Sequence, residues 1–265
     1  MKVVLFCGGL GTRLKEYSET IPKPMVDIGY RPIMWHLMRY YAHYGHKDFI
    51  LALGYGANVI KNYFLHYHEA LSNDFTLSKG GQEVTLHNHD IADWTITFVD
   101  TGLNSNIGQR LMAVRDYLEG EEVFMANYTD GLADLNLNDY LAHFYHHGKV
   151  GSFLSVRPSQ SFHIVHIEDD GAVNNIQPVW DTDLWINGGF FVFRKEIFSY
   201  MRPGEELVIE PFQRLIADNQ LVTYRNQGFW ACMDTFKEKK LFDDMHARGE
   251  MPWAVWDPHK NGPRK

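Results

Sequence analysis

The stretch FCGGLGTRLKEYSETIPKPMVDIG, residues 6–29, decides how this chain is read. Gly8, Gly9 and Gly11 crowd together directly after the apolar run VVLF (3–6). Thr12 and Arg13 follow, and Lys23 comes later, set between Pro22 and Pro24. Glycines without a Cβ let the backbone turn sharply and bring its N–H groups close to an anion. Arg13 offers a planar fork of donors suited to a phosphate. The flanking prolines stiffen the chain and limit where the Lys23 ammonium can go. Each feature alone has an ordinary reading, a strand-to-loop turn or a solvated lysine. Together they point to a phosphate-binding loop. Neither common nucleotide fingerprint fits. Leu14 stands where the dinucleotide pattern needs its third glycine, and no G-x-x-x-x-G-K-[ST] occurs.

Outward from this loop, strand-like and helix-like segments alternate, the pattern of an α/β fold. FILAL (49–53), WTITFVD (94–100), VFMAN (123–127), GSFLSV (151–156), FHIVHI (162–167), GGFFVF (188–193) and LVTY (221–224) read as strands. Helices are expected at 32–45, 57–71, 109–118, 137–148, 209–218 and 235–249. In the first, Pro32 suits the opening turn, Ile33, Leu37, Tyr40 and Tyr41 share a face, and Gly45 ends it. Asn136 is the expected N-cap of the fourth, with Gly148 after its end. The polar stretch 72–93 reads as an inserted flap or a small β excursion. The sum is one α/β domain, 1–265, with a mostly parallel central sheet, where ligands bind at the carboxyl ends of strands.

The whole chain sets limits on partners. A formal net charge of −8 argues against nucleic acid, which calls for a basic face. No apolar run reaches the ~18–20 residues of a membrane span. The N-terminus reads as too short and glycine-broken for a signal peptide. Cys7 and Cys232, far apart and without a CxxC pair, read as buried reduced thiols, which fits a cytoplasmic protein.

GGLGTRL, IPKPMVDIG and RPIMWH together resemble the nucleoside-triphosphate-binding signature of the sugar-1-phosphate nucleotidyltransferases. VDTG and IGQRL (within 99–111), ANYTDGLADL (126–135), INGGFFVF (186–193), EPF (210–212) and GFWACMDT (228–235) extend the likeness along most of the chain, toward its glucose-1-phosphate cytidylyltransferase branch. The resemblance implies a Rossmann-like fold, with a mixed sheet and a smaller β region over the sugar site, about 151–193. It implies Mg²⁺ on Asp130 and Asp234, in keeping with a hard cation that takes one or two carboxylates plus substrate phosphates. It also implies a nucleotide lined by Gly8, Gly9, Gly11, Thr12, Arg13, Lys23, Gly108, Arg110 and Thr129. Arg13, Lys23 and Asp130 would carry the chemistry, attack of a sugar 1-phosphate on the α-phosphorus with release of pyrophosphate. CTP is the favoured donor; UTP, dTTP or a catalytically silent nucleotide-sugar binder are the alternatives. Family members self-associate, and the aromatic tail MPWAVWDP suggests itself as a subunit contact.

On the acceptor side the chain departs from the family pattern. Ile176-Gln177-Pro178 stands where Glu-Lys-Pro is usual, and Ser161-Phe162-His163 where Arg-Phe-Gly is usual. The lysine that meets the sugar phosphate is missing, so Arg157 and His163 are the candidate replacements, with Trp185, Asn187, Gly188 and Glu210 completing the acceptor site. An altered acceptor preference is expected. His87, Asn88, His89 and Asp90 look like a metal cluster but lie in a polar flap without further ligands. His146 and His147 close a helix, where a cation suits the dipole.

Overall fold

The computed structural model describes residues 1–9, 21–158 and 162–257. Its strands in chain order are β1 (Val3–Phe6), β2 (Asp27–Ile28), β3 (Arg31–Pro32), β4 (Asp48–Leu53), β5 (Phe75–Ser78), β6 (Glu83–Leu86), β7 (Thr95–Asp100) and β8 (Val123–Tyr128). They continue as β9 (Gly131–Ala133), β10 (Gly151–Val156), β11 (His163–Ile167), β12 (Val173–Pro178), β13 (Ile186–Asn187), β14 (Phe191–Arg194), β15 (Leu221–Asn226) and β16 (Trp230–Cys232). The α-helices are α1 (Ile33–His43), α2 (Ala57–Leu65), α3 (Ile107–Ala113), α4 (Leu137–His147), α5 (Glu210–Ala217) and α6 (Phe236–Ala247).

The central sheet runs β7-β4-β1-β8-β14-β10-β15, with the short β13 also on β10. β7, β4, β1 and β8 are mutually parallel, with Val3 opposite both Phe49 and Met125. β14 turns antiparallel to β8 and β10, and β15 runs parallel to β10. The sheet is therefore mixed and mostly parallel, as expected. β1 to β4 and β1 to β8 are neighbours on opposite sides of the first strand, so the chain reverses its winding there. The crevice at the carboxyl ends of β1 and β8 is the topological switch point where such sheets bind ligands.

Both faces of the sheet are covered, and the alternation of side chains within each strand divides the core accordingly. Val3, Leu5, Phe49, Leu51 and Met125 face α1 and α4, where Leu37, Tyr40, Tyr41 and Phe144 meet them. Val4, Phe6, Ile50, Phe124 and Phe191 face Leu111 of α3 and Phe212 and Leu215 of α5. No described helix is long and apolar enough to cross a membrane.

Several expected boundaries shift for local reasons. The helix from residue 57 stops at Leu65, and only a 3₁₀ turn, Glu69–Leu71, continues it. The third helix starts earlier than expected, at Ile107, because Asn106 and Gln109 form a reciprocal capping box. The flap contains the hairpin β5–β6. GGFFVF divides: Gly189 and Phe190 adopt positive φ, and the strand begins only at Phe191. In the tail, Trp253 is fully buried against Phe229 and Phe242 and serves the chain's own core, whereas Trp256 is only partly buried.

Candidate active site

The glycine loop leaves β1 at Cys7, whose N–H bonds the Ala52 carbonyl and keeps the turn on the sheet. Gly8 is a glycine for a steric reason. A Cβ there would fall 2.1 Å from Cζ of Arg110. That arginine is almost wholly buried and donates to the carbonyls of Gly8 (3.0 Å), Leu53 (3.0 Å) and Gly102 (2.9 Å) and to the Thr101 hydroxyl (2.7 Å). Its donors are spent on main chain that has left the β1, β4 and β7 ladders. The structure thus places Arg110 beneath the glycine loop, as its clamp. Gly108 is likewise placed by packing. A Cβ on it would lie 2.3 Å from the Glu205 carbonyl, and it is Ile107 beside it that reaches the cleft.

The cleft itself holds about 120 Å³ and is lined by Phe6, Gly9, Lys23, Pro24, Ile107, Tyr128, Thr129 and Asp130. Gly9 is exposed, with open space where a Cβ would be, so its backbone faces the cleft directly. Thr129 donates its hydroxyl to the Phe6 carbonyl at 2.9 Å and ties the end of β8 to the end of β1. Gly11, Thr12 and Arg13 lie outside the described residues.

Lys23 opens a 3₁₀ turn, Lys23–Met25, with Pro22 as N-cap and Pro24 buried. Its ammonium bridges two carboxylates, bonding Asp130 Oδ2 at 2.5 Å and also Asp234 Oδ1. The two aspartates are brought together by β9 and β16, which pair antiparallel with Gly131 opposite Cys232. Met233 N–H bonds the Asp130 carbonyl at 2.7 Å and locks that register. Burial works against the Lys23 charge, but the Asp130 charge and the bonds to both carboxylates outweigh it. They hold the lysine above its ordinary pKa and keep it cationic at neutral pH. Beside them the Cys232 thiol is pushed up to about 12, by burial first and then by the charges of Asp234 and Asp130.

Two carboxylates held around one cationic position are a donor set for a hard divalent ion. Among the described residues no three His, Cys, Asp or Glu side chains converge on one point. Two suffice for Mg²⁺ when substrate phosphates supply the remaining oxygens. The flap residues go separate ways: His87 bonds Thr76, His89 pairs with Glu69, and Asp90 bonds Tyr67 and Ser72.

The expected acceptor residues fall into two groups. Asn187 reaches Tyr128 Oη at 3.5 Å, and Gly188 is buried with its carbonyl accepting from Trp230 Nε1 at 2.9 Å. Asn187 borders the cleft through Tyr128. Arg157 lies over the Trp185 ring at 4.5 Å, donates to the Thr182 carbonyl and pairs with Asp183 at 3.2 Å. It shares a cavity of about 320 Å³ with Gln177 and Trp180. Exposed His163 packs edge-on against Trp180, which is itself half exposed. Glu210 starts α5 and accepts the Glu206 N–H at 3.1 Å, a capping contact.

Sequence reading missed Tyr128, which joins the nucleotide cleft to Asn187, although it sits beside Thr129 in the motif already singled out. It also missed Asn127, whose Oδ1 accepts from Phe190 N–H at 2.9 Å and fixes the strained turn before β14. Arg225, over the Trp185 ring at 5.5 Å, carried no signal at all.

The family model for nucleotidyl transferases matches residues 2–244. The chain is 36% identical over 260 residues to the glucose-1-phosphate cytidylyltransferase of Salmonella typhi, covering 97% of this chain and 100% of that protein. The enzyme of the same name from Salmonella typhimurium matches over the same span at the same identity. In fold, it is similar to a UTP-bound UGPase from Acinetobacter baumannii, at TM-score 0.67 and 19% identity over 95% of this chain and 94% of that one. The alternation first read from the sequence, the cleft at the switch point and these likenesses agree: the chain belongs to the nucleotidyl transferase family, in its sugar-1-phosphate cytidylyltransferase branch.

Proposed function

We propose that the protein transfers the cytidylyl group of CTP to the phosphate of glucose 1-phosphate, with Mg²⁺ on Asp130 and Asp234. The observation that carries this reading is the convergence of Lys23, Asp130 and Asp234, from three distant segments, beside the glycine loop. A phosphate oxygen of the acceptor forms the new bond to the α-phosphorus. The bond from the α-phosphorus to the bridging oxygen of the β-phosphate breaks, and pyrophosphate leaves in line. The acceptor phosphate has its second pKa near ~6 and needs no general base at neutral pH. Bound Mg²⁺ supplies neutralisation of the phosphate charge.

The chain's own residues position and neutralise. Lys23, on a flexible stem anchored by two prolines, turns from the carboxylates to a phosphate oxygen. Arg110 holds the Gly8 carbonyl inward and so fixes the start of the glycine loop, where the Gly9 backbone borders the cleft. Thr129 keeps the two strand ends at fixed separation, and Tyr128 forms the wall between nucleotide and acceptor. Such prepositioning contributes most of what a phosphoryl-type transfer asks of a protein.

A second acceptor reading is favoured by the cavity around Gln177. Its one cation among the described residues is Arg157, held by Thr182 and Asp183 in place of a lysine. An acceptor other than glucose 1-phosphate fits that polar pocket. Pyrophosphate release from a matrix of CTP, UTP and dTTP against several sugar 1-phosphates decides both points. CTP with glucose 1-phosphate is the expected best pair; a faster pair with another sugar, sensitive to Arg157→Ala, supports the second reading. Self-association belongs to the same reading, and sedimentation of the purified chain tests it.

A further inference from the structure

The acceptor side of the cleft continues across the sheet. β8, β10 and β15 run in one direction, because β14 is antiparallel to both β8 and β10, and β15 is parallel to β10. They end at Tyr128, Val156 and Asn226, along the carboxyl edge where such sheets bind ligands. Asn187 of β13 stands opposite Ser155 of β10 on one side, and Arg225 of β15 stands opposite the same serine on the other. With neighbouring strands ~4.8 Å apart, the Arg225 backbone is about 10 Å from that of Asn187. The faces agree as well. Tyr128 and Phe153 both pack against the core cluster of α3 and α5. Ser155 follows Phe153 by two residues, Arg225 follows Thr223 by two, and Ser155 Oγ bonds Thr223 Oγ1. Strand alternation therefore puts Arg225 on the face that carries Tyr128.

Two guanidinium groups meet one ring at this end. Arg157 lies 4.5 Å and Arg225 5.5 Å from the centroid of Trp185, which precedes Asn187 by two residues. Their situations differ. Arg157 is engaged, donating to the Thr182 carbonyl and pairing with Asp183 at 3.2 Å. Arg225 is exposed and has no carboxylate partner among the described residues, while Trp185 is partly buried. A guanidinium drawn to an indole is restrained in direction yet keeps its planar fork of donors for an oxyanion.

We propose that Arg225, with Trp185 as its platform, selects an acceptor that carries a second acidic group, a carboxylate or a phosphate, at the end remote from the reacting phosphate. This rests on the second acceptor reading above and gives that acceptor its chemical class. The reacting phosphate lies at Lys23, the body of the acceptor passes Tyr128 and Asn187, and its far acid meets Arg225. Arg157 is a positioning residue, which holds Trp185 from the segment that bears Thr182 and Asp183.

Calorimetric titration of the full chain with glucose 1-phosphate, glucuronate 1-phosphate and glucose 1,6-bisphosphate reads this selection without turnover. The three share one ring and differ at its exocyclic carbon, which bears a hydroxyl, a carboxylate or a phosphate. The expected result is ~10-fold or tighter binding of at least one acid over glucose 1-phosphate, an advantage cut to ~2-fold or less in Arg225→Gln and partly kept in Arg225→Lys. The better of the two acids tells carboxylate from phosphate. Arg225 is exposed, so the ligand-free thermal midpoint stays at the parent value in Arg225→Gln. Two results overturn the proposal: neither acid binds more tightly than glucose 1-phosphate, or the advantage survives in Arg225→Gln. Pyrophosphate release from CTP with the same acceptors keeps the two readings apart. No release with any of them overturns cytidylyl transfer, and the binding comparison still decides the role of Arg225. A neutral sugar 1-phosphate turned over faster than both acids supports transfer and overturns the acidic acceptor.

Discussion

At the scale of single residues, the proposed chemistry rests on the bridge from Lys23 to Asp130 and Asp234. On the proposed reading, the Lys23 ammonium occupies the place between the carboxylates that a divalent cation would take. Asp130→Asn and Asp234→Asn each remove one charge from that pair, and each is expected to lower turnover about 10²-fold or more. Turnover near the parent value at saturating Mg²⁺ in either variant would remove that aspartate from the metal site. Lys23→Ala is expected to act in two opposite directions. Turnover falls by about 10- to 100-fold, because a charge-assisted contact to phosphate is gone. Mg²⁺ affinity of the nucleotide-free protein rises, because the competing ammonium is gone. A calorimetric Mg²⁺ titration that shows unchanged or weaker binding contradicts the bridge as described.

At the scale of elements, the active site depends on how closely α3 approaches the segment before α5. Gly108 is the contact point, with no room for a methyl group against the Glu205 carbonyl. Gly108→Ala must push α3 away and carries Ile107 and Arg110 with it. Overpacking of this kind costs about 1–3 kcal/mol. The expected outcome is a lower urea midpoint together with a raised KM for the nucleotide, since Arg110 holds the glycine loop. A variant with parental stability and kinetics would show that α3 is free to shift. The sequence likeness implied a nucleotide contact for both residues. The structure gives their region that importance by another route, through support of the loop.

At the scale of the whole molecule, a buried histidine couples stability to pH. His36 is packed under Trp253, and its Nε2–H donates to the Ile28 carbonyl at 3.0 Å while Nδ1 accepts from the Trp253 indole at 3.3 Å. Both bonds suit the neutral ring. Burial above all lowers its pKa to about 4, although the Ile28 carbonyl acts in the opposite direction. The unfolded chain regains a value near ~6.5. The unfolded state therefore binds the proton first as pH falls. The contribution of His36 is complete above about pH 6.5 and is lost as pH drops toward 4, to a total of roughly 3 kcal/mol. Denaturant midpoints measured from pH 7 to pH 4 should fall accordingly, and His36→Gln should flatten that part of the profile. An equal slope in the variant assigns the acid sensitivity elsewhere.

Local chemistry made part of this protein legible from its residues alone. Alternating apolar runs and helical faces are short-range patterns, so β1, β4, β7, β8 and α4 were read nearly to their ends. The glycine loop and the proline-flanked Lys23 announced a phosphate site because φ freedom and backbone stiffness belong to single residues. What no window of sequence contains is the meeting of side chains 107 and 211 positions apart, which places Lys23 between Asp130 and Asp234. The pairing of β9 with β16 accomplishes that. The same holds for Arg110, which the resemblance implied for the nucleotide and whose guanidinium the fold surrounds with carbonyls. It holds too for Trp253, which the tail's aromatic run left open between core and subunit packing and which the fold buries against Phe229. Propensity is decided within a few residues. Which polar groups find partners across the fold is decided only when distant elements close against one another.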